Sequence, residues 1–163
     1  DLGTPDHSIR GRFFSLDSAT SSELTFGAGR DPSLVALGGA TFAIAYDSSA
    51  VPSQVRVRRI AQATPLAQAS LPVGDPHSAG GLSSIAPYGQ SVAVAWRDAS
   101  GSIQLAAIGP TMLHATDAGP ALAELAGNRP EFSLSPSPLG IWVQSERQAG
   151  AGAWLTATLV RNP

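Results

Sequence analysis

The chain has 163 residues, 43 % hydrophobic and 13 % charged, which is enough apolar matter for a buried core and too little charge for a disordered polyelectrolyte. A formal net charge of −2 gives no reason to expect nucleic acid as a partner. There is no Cys and no Lys, all 10 basic residues being Arg, so disulfides, thiolate metal sites, Walker-type phosphate loops and Schiff-base lysines are excluded.

With 17 Gly and 13 Pro, the chain favours short connections over long helices. No run of about 18 apolar residues offers a membrane-spanning helix. The first predicted strand starts at Ser8, where Ile9 and Arg10 open a period-two alternation that runs to Phe14. Ser15 to Ser22 is turn chemistry, and Leu24-Thr25-Phe26 is a second short strand, ended by Gly27-Ala28-Gly29. Ser33 to Leu37 is a strand, Gly38-Gly39 a hairpin turn, and Phe42 to Tyr46 the returning strand. After a loop from Asp47 to Ser53, Gln54 to Ile60 alternates again, and Ala61 to Val73, broken by Pro65 and Pro72, predicts an edge strand.

The same order then recurs. Gly81 to Pro87 matches Asp31 to Leu37, Tyr88-Gly89 matches Gly38-Gly39, and Val92 to Trp96 matches Phe42 to Tyr46. Ser102 to Ile108 matches Gln54 to Ile60, and Met112 to Ala126 supplies a fourth element, with Ala121 to Leu125 open to a helical turn. A third cycle places strands on Phe132 and Leu134, on Gly140 to Val143 and on Trp154 to Val160. Counted between Tyr46, Trp96 and Trp142, the period is 50 and then 46 residues. The cycles open on related turns, Gly29-Arg30-Asp31-Pro32, Gly74-Asp75-Pro76 and Gly127-Asn128-Arg129-Pro130.

Four short strands per cycle predict an all-β fold of propeller-like, four-stranded antiparallel blades, about three in the chain. The pattern of a Pro-led strand, a Gly turn, a strand ending in an aromatic residue and an alternating strand resembles bacterial β-propeller repeat proteins. The boundaries expected are a partial blade at 8–28, blades at 29–74 and 75–127, and a partial blade at 128–161, within one segment spanning 1–163. A β-sandwich is the alternative. The repeated strands argue against it, because large Phe42, Ile44 and Tyr46 alternate with Ala43 and Ala45, leaving no polar face. A sheet with one bulky and one small face can stack on its own copy.

Three blades fall short of the four or more that commonly close a ring. The expectation is a non-catalytic binding or assembly module that completes a propeller with another copy or a separate chain, glycan being a further candidate partner. An enzyme reading, a subunit or fragment of a glycoside-active propeller, and a purely structural surface component are the alternatives. The start at Asp1 without Met, the lack of Cys and the Ser/Thr/Gly-rich composition suggest an exported bacterial protein, periplasmic, surface-bound or secreted, or a piece of a longer polypeptide.

No cofactor or metal motif is present. His7, His77 and His114 are read as turn histidines, with His7 and His77 at non-equivalent places in the repeat. Asp98-Ala99-Ser100-Gly101-Ser102-Ile103 partly resembles the Asp box of sialidase-type propellers, and its bland reading is a tight turn. The one repeated charged feature is Arg10 and Arg12 against Arg56 and Arg58, with Arg59 beside them. Stacked blades would align these five into a basic stripe able to grip carboxylate or phosphate, unless they are simply a solvated face paired with local acids. Loops best placed to vary are Asp47 to Ser53, Asp75 to Gly81 and Ser145 to Gly152.

Overall fold

The computed structural model describes residues 7–14, 23–66, 69–77, 83–89, 91–98, 102–109, 115–117, 132–149 and 152–161. Every regular element among them is a β-strand, and the strands form three antiparallel sheets, none closed on itself. The first sheet runs in the order β1 (Ser8–Gly11), β2 (Leu24–Gly38), β3 (Thr41–Ser48), β4 (Ser53–Ala61) and β5 (Leu71–His77). The second holds β6 (Ser83–Tyr88), β7 (Ser91–Arg97), β8 (Ile103–Ile108) and β9 (Ala115–Asp117), and the third β10 (Phe132–Ser137), β11 (Gly140–Ala149) and β12 (Gly152–Arg161). The Ser15–Ser22 turn, the turn from Gly127, His114 and the possible helical turn at Ala121 to Leu125 lie outside the described residues.

The sheets pack face to face, and side-chain size explains how. Ala43 and Ala45, with Val55, Val57 and Val73, form one face of the first sheet and meet Val92, Val94 and Trp96 of the second. Ala93 and Ala95, on the far side of β7, meet Ile141 and Val143 of the third. On the first sheet's other face Ile44, Tyr46 and Ile60 are covered by Ile9 and Phe26. Between the first and second and between the second and third sheets bulk lies against alanine, which fills the space at interior density. A repeated bond accompanies the packing. The Ile85 N–H donates to Ser33 Oγ at 3.3 Å, and the Leu134 N–H donates to Ser84 Oγ at 3.3 Å.

Three details depart from the sequence reading. The glycines at 27 and 29 do not end a strand, because β2 runs unbroken and changes partner: Leu24 to Ala28 pair with β1, and Gly29 to Gly38 with β3. The bend falls at Asp31, whose φ is 52°, within the single register shift between Arg30 and Ser33. Gly27 and Gly29 serve instead as a floor for Tyr46, since a Cβ on either would lie 2.6 Å from its hydroxyl or 2.7 Å from its Cδ2.

The second departure is in the repeat alignment. Ser33 stands opposite Ala45 and Ser84 opposite Ala95, so Ser84, not Ser83, is the counterpart of Ser33. An irregularity between Ala36 and Gly38 in β2 accounts for the one-residue slip. The third concerns Trp142. Phe42, Val92 and Ile141 each stand across from the last residue of the matched heptad (Ile60, Ile108 and Val160), which makes Trp142 the counterpart of Ala43 and Ala93. Ser145 occupies the register position of Tyr46 and Trp96. Trp142 thus faces away from the middle sheet and is 38 % exposed, whereas Trp96 is 7 % exposed.

The β2–β3 hairpin turns at Gly39 and Ala40, both with φ of 56°, next to Gly38 at 85°. An alanine at positive φ is strained, so Ala40→Gly is expected to stabilise the protein by a few tenths to about 1 kcal/mol, the gain being trimmed by the freer unfolded chain. Urea denaturation would read this as a higher midpoint at unchanged slope.

Candidate functional site

The five arginines occupy different settings. Arg10 Nη1 and Arg12 Nη2 converge on the two oxygens of Glu23, at 3.1 and 3.4 Å, all three side chains remaining largely exposed. Arg56 Nη1 donates to Ser70 Oγ at 3.1 Å, and Arg58 Nη1 donates to the Phe26 carbonyl oxygen at 2.8 Å. Arg59 stands opposite Ala43, on the other side of β4 from Arg58. Arg10 and Arg12 share Glu23, Arg10 also donating from Nε to Ser8 Oγ at 2.9 Å, while Arg58 ties the first layer to the sheet beneath it and Arg56 bonds within its own sheet. Exposed pairs contribute little, so Glu23→Ala is expected to change stability by less than about 1 kcal/mol, read as a shift in thermal midpoint.

A second feature sits at the Asp47 to Ser53 loop. A cleft of 290 Å³ there is lined by His7, Gly29, Arg30, the backbone run from Ser48 to Pro52, and Ser53. Strand β2 delivers Arg30, β3 delivers Asp47 and Ser48, and the Gly29 N–H donates to the His7 carbonyl, which brings the start of β1 alongside. Asp47 is fully buried, and Arg30 Nη2 lies 3.4 Å from its Oδ2 with half the Arg30 side chain exposed. Ser48 Oγ closes the loop by accepting the Gln54 N–H at 3.0 Å.

His7 lines this cleft, and the His77 backbone pairs with Ser53, another of its residues. Among the described residues no group of three His, Asp or Glu is placed to hold a metal ion. Asp98 does what the tight-turn reading requires: Oδ1 accepts the Ser102 N–H at 3.0 Å and Oδ2 accepts from Gln104 Nε2 at 2.6 Å. Residues 99–101 of that turn lie outside the described residues.

A third feature is apolar. On the Phe42 side of the first sheet, a cleft of 480 Å³ is bounded chiefly by Phe13, Phe14, Phe26, Leu34, Phe42 and Ile44. Phe14 is 75 % and Leu34 61 % exposed. Sequence reasoning missed both clefts, since each is built by residues far apart in the chain that only the strand pairing brings together. A comparison of the chain with protein-family models, with curated proteins and with solved structures found no match. Among the described residues no helix is long and apolar enough to cross a membrane.

Proposed function

We propose that the chain is a propeller segment that acts as a binding or assembly module, without chemistry of its own, and completes a ring with blades from another copy or a separate chain. The observation that carries the reading is the half-covered Phe42 face. Bulky faces at β7 and β11 each receive an alanine-bearing face from the preceding sheet, along with a serine that accepts the Ile85 or Leu134 N–H. Among the described residues, the equivalent face around Leu34, Phe42 and Ile44 has β1, the residues that follow it to Phe14 and the first half of β2 over it, and a cleft remains. Apolar surface of this kind in contact with solvent is a mark of an interface. A covering segment with small side chains on its inner face and a free edge to pair with β1 would satisfy it. The composition supports export, and glycan is a candidate ligand for loops on a completed ring.

Native mass spectrometry of the material as isolated, paired with solution scattering, tests the reading. It expects a defined assembly, of copies or with a second chain. A lone compact particle of 16.6 kDa would overturn it. Turnover of a glycoside substrate, abolished by substituting one carboxylate, would replace it with an enzyme reading.

A further inference from the structure

Behind the wall of the cleft at the Asp47 to Ser53 loop lies a fully buried carboxylate, Asp47. In the second repeat, the loop after the aromatic residue is closed by Asp98, which accepts the Ser102 N–H; in the first, Ser48 does the same for Gln54. Asp98 and Ser48 are counterparts, and the residue before each differs: Asp47 in the first repeat and Arg97, whose pKa is pushed down by burial, in the second.

Burying a carboxylate is costly unless it is paired, and the pairing here is with Arg30. Both members come from adjacent strands: Arg30 and Asp47 are direct partners in the β2–β3 ladder. The pair is lopsided. Asp47 is wholly inside, while Arg30 is half exposed and its body lines the cleft. Asp47 takes one Nη2 contact, and the guanidinium is a rigid fork with five donors, so most of its hydrogen-bonding capacity is left over from that contact, on a half-exposed side chain that lines the cleft. Around it stand His7, Ser49 and the run from Ala50 to Pro52. A guanidinium anchored from behind by a buried acid, at the wall of a small cleft, suits a planar anion held by two parallel N–H bonds.

We propose that this cleft binds the carboxylate of a small ligand, with Arg30 as the fork and Ser49 and His7 as neighbouring polar contacts. Asp47 fixes the fork and makes no contact with the ligand. The chemistry fits two sources, an acidic sugar such as a uronic acid or the free C-terminus of a peptide. The site does not depend on whether further blades close the ring, because every residue in it comes from this chain.

The test is a titration of isotope-labelled protein, following backbone amide shifts, with D-glucuronate, N-acetyl-alanine, and the uncharged controls D-glucose and N-acetyl-alanine amide. At least one carboxylate probe should move the amides of Arg30, Ser48 and Ser49, with its control inert. A response to glucuronate alone identifies the sugar acid, and a response to N-acetyl-alanine alone the peptide terminus. Arg30→Gln should weaken the responding probe about tenfold or more. Because that variant leaves Asp47 without its cation, Arg30→Lys is the companion: it keeps the charge but loses the fork, and should fold normally and still bind several times more weakly. Controls that shift the same amides as well as the acids do, no probe shifting them at tens of millimolar, or unchanged affinity in Arg30→Lys would each overturn the proposal.

Discussion

Replacing Gly74 by valine is expected to lower the unfolding free energy by about 3 kcal/mol or more, from two separate causes. Gly74 has a φ of +68°, a conformation costing about 1–2 kcal/mol for ordinary residues and more for a β-branched one. Independently, a Cβ there would sit inside the contact distance of Trp96 Cζ2 and Cε2, so the side chain has no room. Overpacking of that kind adds about 1–3 kcal/mol. The two parts can be separated by a double-mutant cycle. Trp96→Leu opens the space above Gly74, so adding Gly74→Ala to it should cost only the backbone part, while Gly74→Ala alone costs both. Strict additivity in that cycle, read by urea denaturation, would show that the ring does not press on the glycine.

The second large effect separates two tryptophans. Trp96→Ala should cost about 3–5 kcal/mol, because the ring is buried between the first and second sheets and its removal leaves a cavity next to Val94 and Val73. Trp142→Ala should cost less than half of that, since its ring lies on the outer face of the third sheet. The contrast follows from ladder register alone: Ile141 pairs with Val160 as Val92 pairs with Ile108, which puts Trp142 one residue out of phase with the buried side chains. Equal losses in thermal unfolding would mean that the third sheet is covered by something on its outer side.

That same register shows how far sequence can be read. The strands of the first two cycles were legible because volume alternates sharply along them: Phe42-Ala43-Ile44-Ala45 admits one face assignment only. Gly140-Ile141-Trp142-Val143 has no alanine to mark the small face, so an aromatic residue at the expected interval matches Tyr46 and Trp96 in sequence, three residues away from the position the pairing gives. The glycines before Asp31 were read as strand breakers from their own conformational freedom. Their function is steric and depends on Tyr46, which is distant in sequence, so nothing local could reveal it. The arginine stripe has the same origin. Arg56 and Arg58 alternate correctly along β4, but their acceptors, Ser70 and the Phe26 carbonyl, come from other segments. The Arg30–Asp47 pair was hidden for a related reason: neither residue is unusual by itself, and only the β2–β3 register makes them partners.

The continuity of β2 has a mechanical consequence. A strand that belongs to two ladders leaves no slack linker between the outermost layer and the sheet it covers, so Leu24 to Ala28 cannot swing away without tugging on Gly29 to Gly38. Pulling on the first layer would load the β2–β3 hydrogen bonds in shear at Asp31, where the strand bends. Any segment that docks beside β1 would thereby stiffen the hairpin beneath it, and with it Arg30, which lies one residue from that bend. Occupancy at the edge of the sheet and order in the Arg30 cleft are mechanically linked through a single length of backbone.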